Sequence, residues 1–240
     1  MSMSDEQMSD DPGMERSREL LRRHQEHTTR RPRTFTALRK EWDVFPGVFS
    51  PEFTPVTAMF TAWLPYPPGG SFLEVGCGTG VTAVWAALRG CRRVVAVDIN
   101  RAAVENTRAN ARRHGVADRL TAVHSDLFAA LPPDAAFDVV FWNSNYVEPP
   151  AGFPLDTMLH HAFFDPGYAA HQRFLAEAPT RLTPGGRLLL GFSDVGNHEH
   201  LRELCDTYGL TLSTLRSEVR ELHTTVEFQL LELTPARRRR

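Results

Sequence analysis

Lysine is almost missing from this 240-residue chain: of its 27 basic residues, all but Lys40 are arginine. We read that as a coding bias and attach no chemistry to it. Charge of one sign is not in excess either. The basic residues face 29 acidic ones, for a formal net charge of −2, which gives no general attraction to nucleic acid or to an anionic membrane. Three cysteines, Cys77, Cys91 and Cys205, stand far apart with no CxxC. That spacing supports neither a disulfide framework nor a cysteine-type zinc site, and suits reduced thiols in a cytoplasmic protein. No stretch approaches the ~20 apolar residues that span a bilayer, and the polar, acidic N-terminus has no run of signal-peptide length. Internal repeats and long low-complexity segments are missing too.

What is present suits one domain with extensions, since hydrophobic residues make up 42% of the chain. Three parts are expected: a polar extension over 1–40, a catalytic domain over 41–234 and a basic tail over 235–240. Residues 1–13 are Ser/Asp/Met-rich and read as disordered. Residues 14–31 form a charged helix or a mobile arm, and "RRRR" at 237–240 a frayed end. Between these ends strands and helices alternate. Strands are expected at 71–76, 93–99, 120–126, 137–143 and 186–193. Helices fall at 80–90, 100–115 (N-cap Asn100, closed by Gly115), 168–182 (interrupted by Pro179) and 199–209. Two last strands, near 210–219 and 224–233, have no helix between them and should pair as an antiparallel hairpin. The pattern predicts an α/β fold, a doubly wound, mostly parallel sheet with its ligand crevice at the carboxyl ends of the strands.

The stretch "EVGCGTG", Glu74 to Gly80, joins the first of these strands to a helix. Its glycines allow a tight turn and close approach of a ligand to the backbone. The spacing is G-x-G-x-G and not the G-x-G-x-x-G of dinucleotide sites. Glu74, at a strand end, would repel a pyrophosphate and suits a cationic ligand. Both features disfavour a nicotinamide-dependent oxidoreductase. Asp98 ends the second strand, where an acid can hold ribose hydroxyls. Asp126 ends the third, placed to accept from an adenine amino group. A ligand with ribose, adenine, a positive charge and no phosphate fits all of these.

With "FLEVGCGTG", "VVAVDIN" and "HSDLF" in that order, the chain resembles the class I S-adenosylmethionine (SAM)-dependent methyltransferases over about residues 44–233. The resemblance implies a Rossmann-like, seven-stranded sheet with SAM as cofactor. It assigns cofactor contacts to Glu74, Gly76, Gly78, Gly80, Asp98 and Asp126, with Ile99 and Leu127 flanking the adenine. No metal is implied.

The fourth strand runs into Asn143-Ser144-Asn145-Tyr146. In such a sheet it lies beside the first strand, so Asn143 would face the methyl donor. The stretch resembles the N-P-P-Y motif of N-methyltransferases, in which the asparagine amide and the next carbonyl orient the target nitrogen and the aromatic ring stacks on its planar group. Asn143 and Tyr146 are therefore the expected catalytic residues, Asn143 also touching the cofactor. Ser144 and Asn145 replace both prolines, which predicts a wetter, more flexible pocket or a more polar substrate. Structural roles, Asn143 capping the turn and Tyr146 packing, compete with that reading, as does methylation at oxygen or carbon.

The lead-in "FPGVFSPEFTPVTAMF" (45–60) and the segment 162–193 resemble the small-domain subgroup, which includes the release-factor glutamine and rRNA guanine-N2 enzymes. The polar 1–40 segment stands where the glutamine enzymes carry a longer recognition domain, and no strongly basic surface for RNA is evident. Residues 147–166, rich in Pro and Phe, read as either a cover over the substrate mouth or a packed loop. His160 or His161 within them is a candidate base. These features together point to N-methylation of a small metabolite or amino-acid-like acceptor. The alternatives are a protein glutamine or RNA base, and a non-catalytic SAM-binding subunit that activates a partner. Neither DNA nor a membrane is expected as a partner.

Overall fold

The computed structural model describes residues 12–27, 33–222 and 225–236. Seven strands form one sheet in the order β5-β4-β3-β6-β7-β9-β8. They are β3 (Ser71–Val75), β4 (Arg93–Asp98), β5 (Leu120–His124), β6 (Phe137–Asn143), β7 (Leu182–Ser193), β8 (Leu210–Glu221) and β9 (Thr225–Pro235). The first five run parallel, while β9 pairs antiparallel with both β7 and β8. The expected α/β class and the C-terminal antiparallel pair are both present.

Burial on both faces explains the composition of the central strands. All five residues of β3 are buried, as a parallel strand covered on both sides requires. Successive residues split between two cores with the period of two that a strand imposes. Phe72, Phe141 and Leu189 pack with α2 (Val56–Trp63), α3 (Val81–Leu88) and α4 (Arg101–Arg113) on one face. Leu73, Trp142 and Leu190 pack with α5 (Ala169–Glu177) and α6 (His198–Thr207) on the other. Asn100 caps α4 by accepting from Ala102 N at 3.0 Å. Pro179 ends α5 as expected: the helix stops at Glu177 and a single 3-10 turn covers 178–181.

Several boundaries differ from expectation. β7 starts at Leu182 and not at 186, because Leu182 pairs with Phe137 before a register shift carries Val139 to Arg187. β5 stops at His124, where Ser125 N turns to Asp98 O at 2.9 Å; Asp126 therefore lies beyond the strand. The N-terminal region is more ordered than its composition suggests. Residues 12 and 13 belong to α1 (Pro12–His27), and the remaining residues expected to be disordered, 1–11, lie outside the described ones, as do 237–240. Strands β1 (Arg33–Ala37) and β2 (Lys40–Val44) form a hairpin, and the expected domain boundary at 40/41 cuts through it. A third apolar cluster joins Met14 and Leu21 of α1 to Val147, Leu159, Phe163 and Phe164. Among the described residues no helix is long and apolar enough to cross a membrane.

Two asparagines on α4 clamp the hairpin to the sheet domain. Asn110 accepts from Asp43 N (2.8 Å) and donates to Asp43 O (2.9 Å) and Thr79 O (2.8 Å). Asn106 accepts from Phe45 N and donates to Asp43 O, both at 2.8 Å. Both side chains are fully buried, so truncation strands backbone groups without water. Asn110→Ala should lower the stability of the protein by about 2 kcal/mol, read as a shift of the urea midpoint at unchanged slope.

Candidate active site

The turn after β3 needs left-handed backbone at alternate positions: φ is +66° at Gly76, +53° at Gly78 and +80° at Gly80. The three glycines serve different ends. A Cβ at Gly78 would meet nothing within 4 Å, and one at Gly76 would meet Trp142 Nε1 at 3.3 Å. Both residues line a cavity of ≈ 490 Å³. Gly80 is buried and does not line it. A Cβ there would lie 2.7 Å from Thr107 Oγ1 and 2.9 Å from its Cα, so Gly80 lets α3 pack on α4 and sits off the cavity wall where a ligand contact was expected.

Glu74, Asp98, Ile99, Asp126 and Leu127 all line the same cavity. Glu74 is 3% exposed, and its Oε2 accepts from Ala83 N at 2.8 Å, tying the carboxylate to the first turn of α3. Burial, only partly offset by hydrogen bonds from Thr82 and Ala83, pushes its carboxyl up to about 8. A buried acid with no cation beside it among the described residues is a site that a positive ligand would relieve. Asp98 accepts from Gly78 N and Asn100 N, one on each oxygen, both at 2.8 Å; burial raises its pKa. These bonds hold the carboxylate at the crevice edge with a lone pair left on each oxygen. Asp126 is exposed, and its Oδ2 takes Arg173 at 2.9 Å. Ile99 is 37% exposed, and Leu127 sits at φ +48°. Exposed isoleucine and left-handed leucine on one cavity wall are costs that an apolar flat ligand would offset.

Because β6 pairs with β3 (Val75 beside Trp142), Asn143 emerges next to the glycine turn. Its side chain makes no hydrogen bond among the described residues and lines the cavity. Gly191, opposite it in β7, makes the room: a Cβ at 191 would lie 2.7 Å from Phe60 and 3.2 Å from Asn143 Oδ1. The two residues that replace prolines spend their side-chain donors on the backbone. Ser144 is 5% exposed; its N and Oγ both donate to Gly191 O, at 3.2 and 2.9 Å. Asn145 donates to His161 O and Phe164 O at 3.1 and 2.8 Å. Both polar groups lock the turn onto the backbone, the task a proline ring would perform by stiffness. Tyr146 touches all three apolar clusters, and Tyr168 Oη donates to its carbonyl at 2.6 Å. Burial pushes its hydroxyl up to about 12, against the pull of Arg16, so it stays neutral.

Sequence reasoning missed part of the wall. Arg16, Ser17 and Leu20 of α1 line the cavity beside Asn143 and Tyr146, where only a solvated helix or mobile arm was expected. A signal was available, since Met14, Ser17, Leu21 and His24, all buried, follow helical spacing. Asp165 and His171 also went unnoticed. Asp165 lines the cavity and accepts from Ala170 N, His171 N and His171 Nδ1 at 2.9, 2.9 and 2.7 Å. The His171 ring lies 4.6 Å from that of Trp142, propping the floor of the glycine turn. Of the two candidate bases, His160 turns away to Thr157 Oγ1 at 2.8 Å. His161 lines the cavity, and burial lowers its pKa. Among the described residues no group of His, Cys, Asp and Glu could hold a metal.

Comparison with known proteins fits this geometry. The sequence profile of the methyltransferase small domain matches residues 43–231. The chain is 35% identical over 124 residues to the ribosomal RNA small subunit methyltransferase C of Chromohalobacter salexigens, covering 52% of this chain and 32% of that one. It is 32% identical over 136 residues to the release factor glutamine methyltransferase of Rhodopirellula baltica, covering 52% and 45%. It thus spans between a third and a half of these relatives' own length. The structure of the T. thermophilus 16S rRNA N2 G1207 methyltransferase, in complex with AdoMet and guanosine, superposes with a TM-score of 0.59 at 23% identity, covering 86% of this chain and 50% of that one; this shows the shared fold.

Glu74 makes ligand-free stability pH-dependent. Its folded pKa, about 8, lies above 4.5, so the folded state binds the proton more tightly than the unfolded one. That contribution is complete below 4.5 and is lost as pH rises through about 8. Urea unfolding of the wild type should therefore weaken from pH 5 to 8 relative to Glu74→Gln, in which this slope is removed. Parallel pH profiles for the two proteins would refute the assignment.

Proposed function

The chain belongs to the methyltransferase small domain family, and on that premise we propose that it methylates the nitrogen of a planar carboxamide presented by a protein. S-adenosylmethionine is the cofactor and supplies an electrophilic methyl group carried on a sulfonium. Glu74, Gly76, Gly78, Asp98, Ile99, Asp126 and Leu127 are the residues that would hold it. The observation that carries the reading is the unengaged Asn143 side chain, opening onto the same cavity as the glycine turn.

An amide nitrogen is a poor nucleophile because its lone pair is delocalised into the carbonyl. Asn143 Oδ1 and the Ser144 carbonyl can each accept one of its N–H bonds, which fixes the amide plane so that the nitrogen lone pair, perpendicular to it, faces the donor side. Tyr146 offers a neutral ring for the planar group to rest on. Catalysis is then mainly positional, an effect worth up to about 7–11 kcal/mol when the geometry is close. The bonds of Ser144 and Asn145 keep this acceptor geometry rigid. His161, rather than His160, is placed to take a proton after transfer.

The expected small-metabolite acceptor finds no support in the named relatives, which act on release-factor glutamine and on ribosomal RNA. Between those two, the net charge of −2 favours a protein amide over a phosphate-rich strand. One observation keeps a smaller acceptor in view: α1 contributes Arg16, Ser17 and Leu20 to the cavity wall, which narrows the room for a bulky partner.

Incubation with methyl-labelled SAM and a lysate of the source organism, separated into protein, nucleic-acid and small-molecule fractions, tests this. Label should appear in protein, and Asn143→Ala should reduce it by about 10²-fold or more while SAM affinity changes only a few-fold. Label in RNA or in a metabolite would replace the acceptor. Tight SAM binding without any turnover would favour a non-catalytic partner subunit.

A further inference from the structure

The cavity carries a cation that forms no ion pair among the described residues. Two arginines line it, Arg16 and Arg173. Arg173 is paired with Asp126. Arg16, on α1, makes no hydrogen bond or ion pair among the described residues, and its buried Nη1 has no partner. Its guanidinium lies 5.9 Å from the Phe228 ring centroid. Burial lowers its pKa against the attraction of Asp194, which lies beyond ion-pair distance, and the neutral Tyr146 hydroxyl is its neighbour. The same cavity is lined on its apolar side by Leu20, Val147, Leu159 and Phe163. A buried donor left without an acceptor is costly, and hydrogen bonds from a cation are among the strongest that a fold can leave unmade. Arg16 is held there because Met14 and Leu21, on the same helix, are buried in the third apolar cluster.

We propose that Arg16 is a specificity residue that binds an oxyanion, carboxylate or phosphate, on the acceptor, next to the nitrogen held by Asn143. The inference rests on the methyltransferase reading above and adds to it the charge of the acceptor. Arg16 lies on the apolar wall near Tyr146, so the acceptor it selects has an apolar or planar body and an anionic group at one side. A guanidinium suits this task, since its fork can grip two oxygens at once.

Calorimetry on the full chain saturated with S-adenosylhomocysteine tests this, with three probes: benzoate, its neutral counterpart benzamide, and phenyl phosphate. Binding of S-adenosylhomocysteine comes first; its failure would sink the methyltransferase reading and this inference with it. If it binds, benzoate or phenyl phosphate should bind more tightly than benzamide, and the stronger of the two names the oxyanion. Arg16→Gln should weaken that anion by about tenfold or more and leave benzamide and S-adenosylhomocysteine unchanged. Arg16→Lys should recover part of the loss. Asp194→Asn should leave anion binding intact or tighten it, because a competing charge is removed. Equal binding of benzoate and benzamide, no binding of any probe, or the same loss in Asp194→Asn as in Arg16→Gln would overturn the proposal. The last result would mean that Arg16 only anchors α1.

Discussion

The parallel pairing of β6 with β3 is the constraint on which the site depends. With Val75 beside Trp142, the glycine turn that follows one strand and the Asn143 turn that follows the other must leave the sheet at the same edge. A shift of one residue would turn Asn143 to the opposite face, because side chains alternate along a strand. Burial on both faces prevents that shift. Phe141 belongs to one core and Trp142 to the other, and neither can change sides without emptying a packed layer. The position of the Asn143 amide is thus a consequence of hydrophobic register.

Around this pair the fold holds groups at a cost that a ligand could relieve. Glu74 is buried with no cation beside it among the described residues, Leu127 is held left-handed, and Ile99 is exposed in the cavity wall. Other polar groups are tied to the scaffold by hydrogen bonds. Asp98 is pinned by two backbone N–H groups, Ser144 and Asn145 by three carbonyls, and Asp165 by α5 and His171. The contrast separates groups that build the site from groups left to act in it. Asn143 and Arg16 are in the second set.

The N-terminal helix and the segment 147–166 form one apolar unit, packed with Tyr146. Their residues are more than a hundred positions apart in sequence, and both line the cavity that holds Asn143. The helix lies outside the family profile, which begins at residue 43.

The sequence by itself determined the α/β alternation, the order of the strands that bear the acids, the glycine turn and the Asn-x-x-Tyr stretch. Those features are local: apolar periodicity, caps and short spacings are written in consecutive residues. Tertiary structure decided what long-range packing controls. It moved Gly80 from the ligand to the α3–α4 contact, because Thr107 lies against it. It turned Ser144 and Asn145 into the backbone, because Gly191, His161 and Phe164 offer carbonyls there. It sent His160 to Thr157 and left His161 in the cavity. It brought Arg16 to Tyr146 across more than a hundred residues. No local pattern encodes such a meeting, since only the burial of Met14 and Leu21 against Val147 and Phe163 produces it.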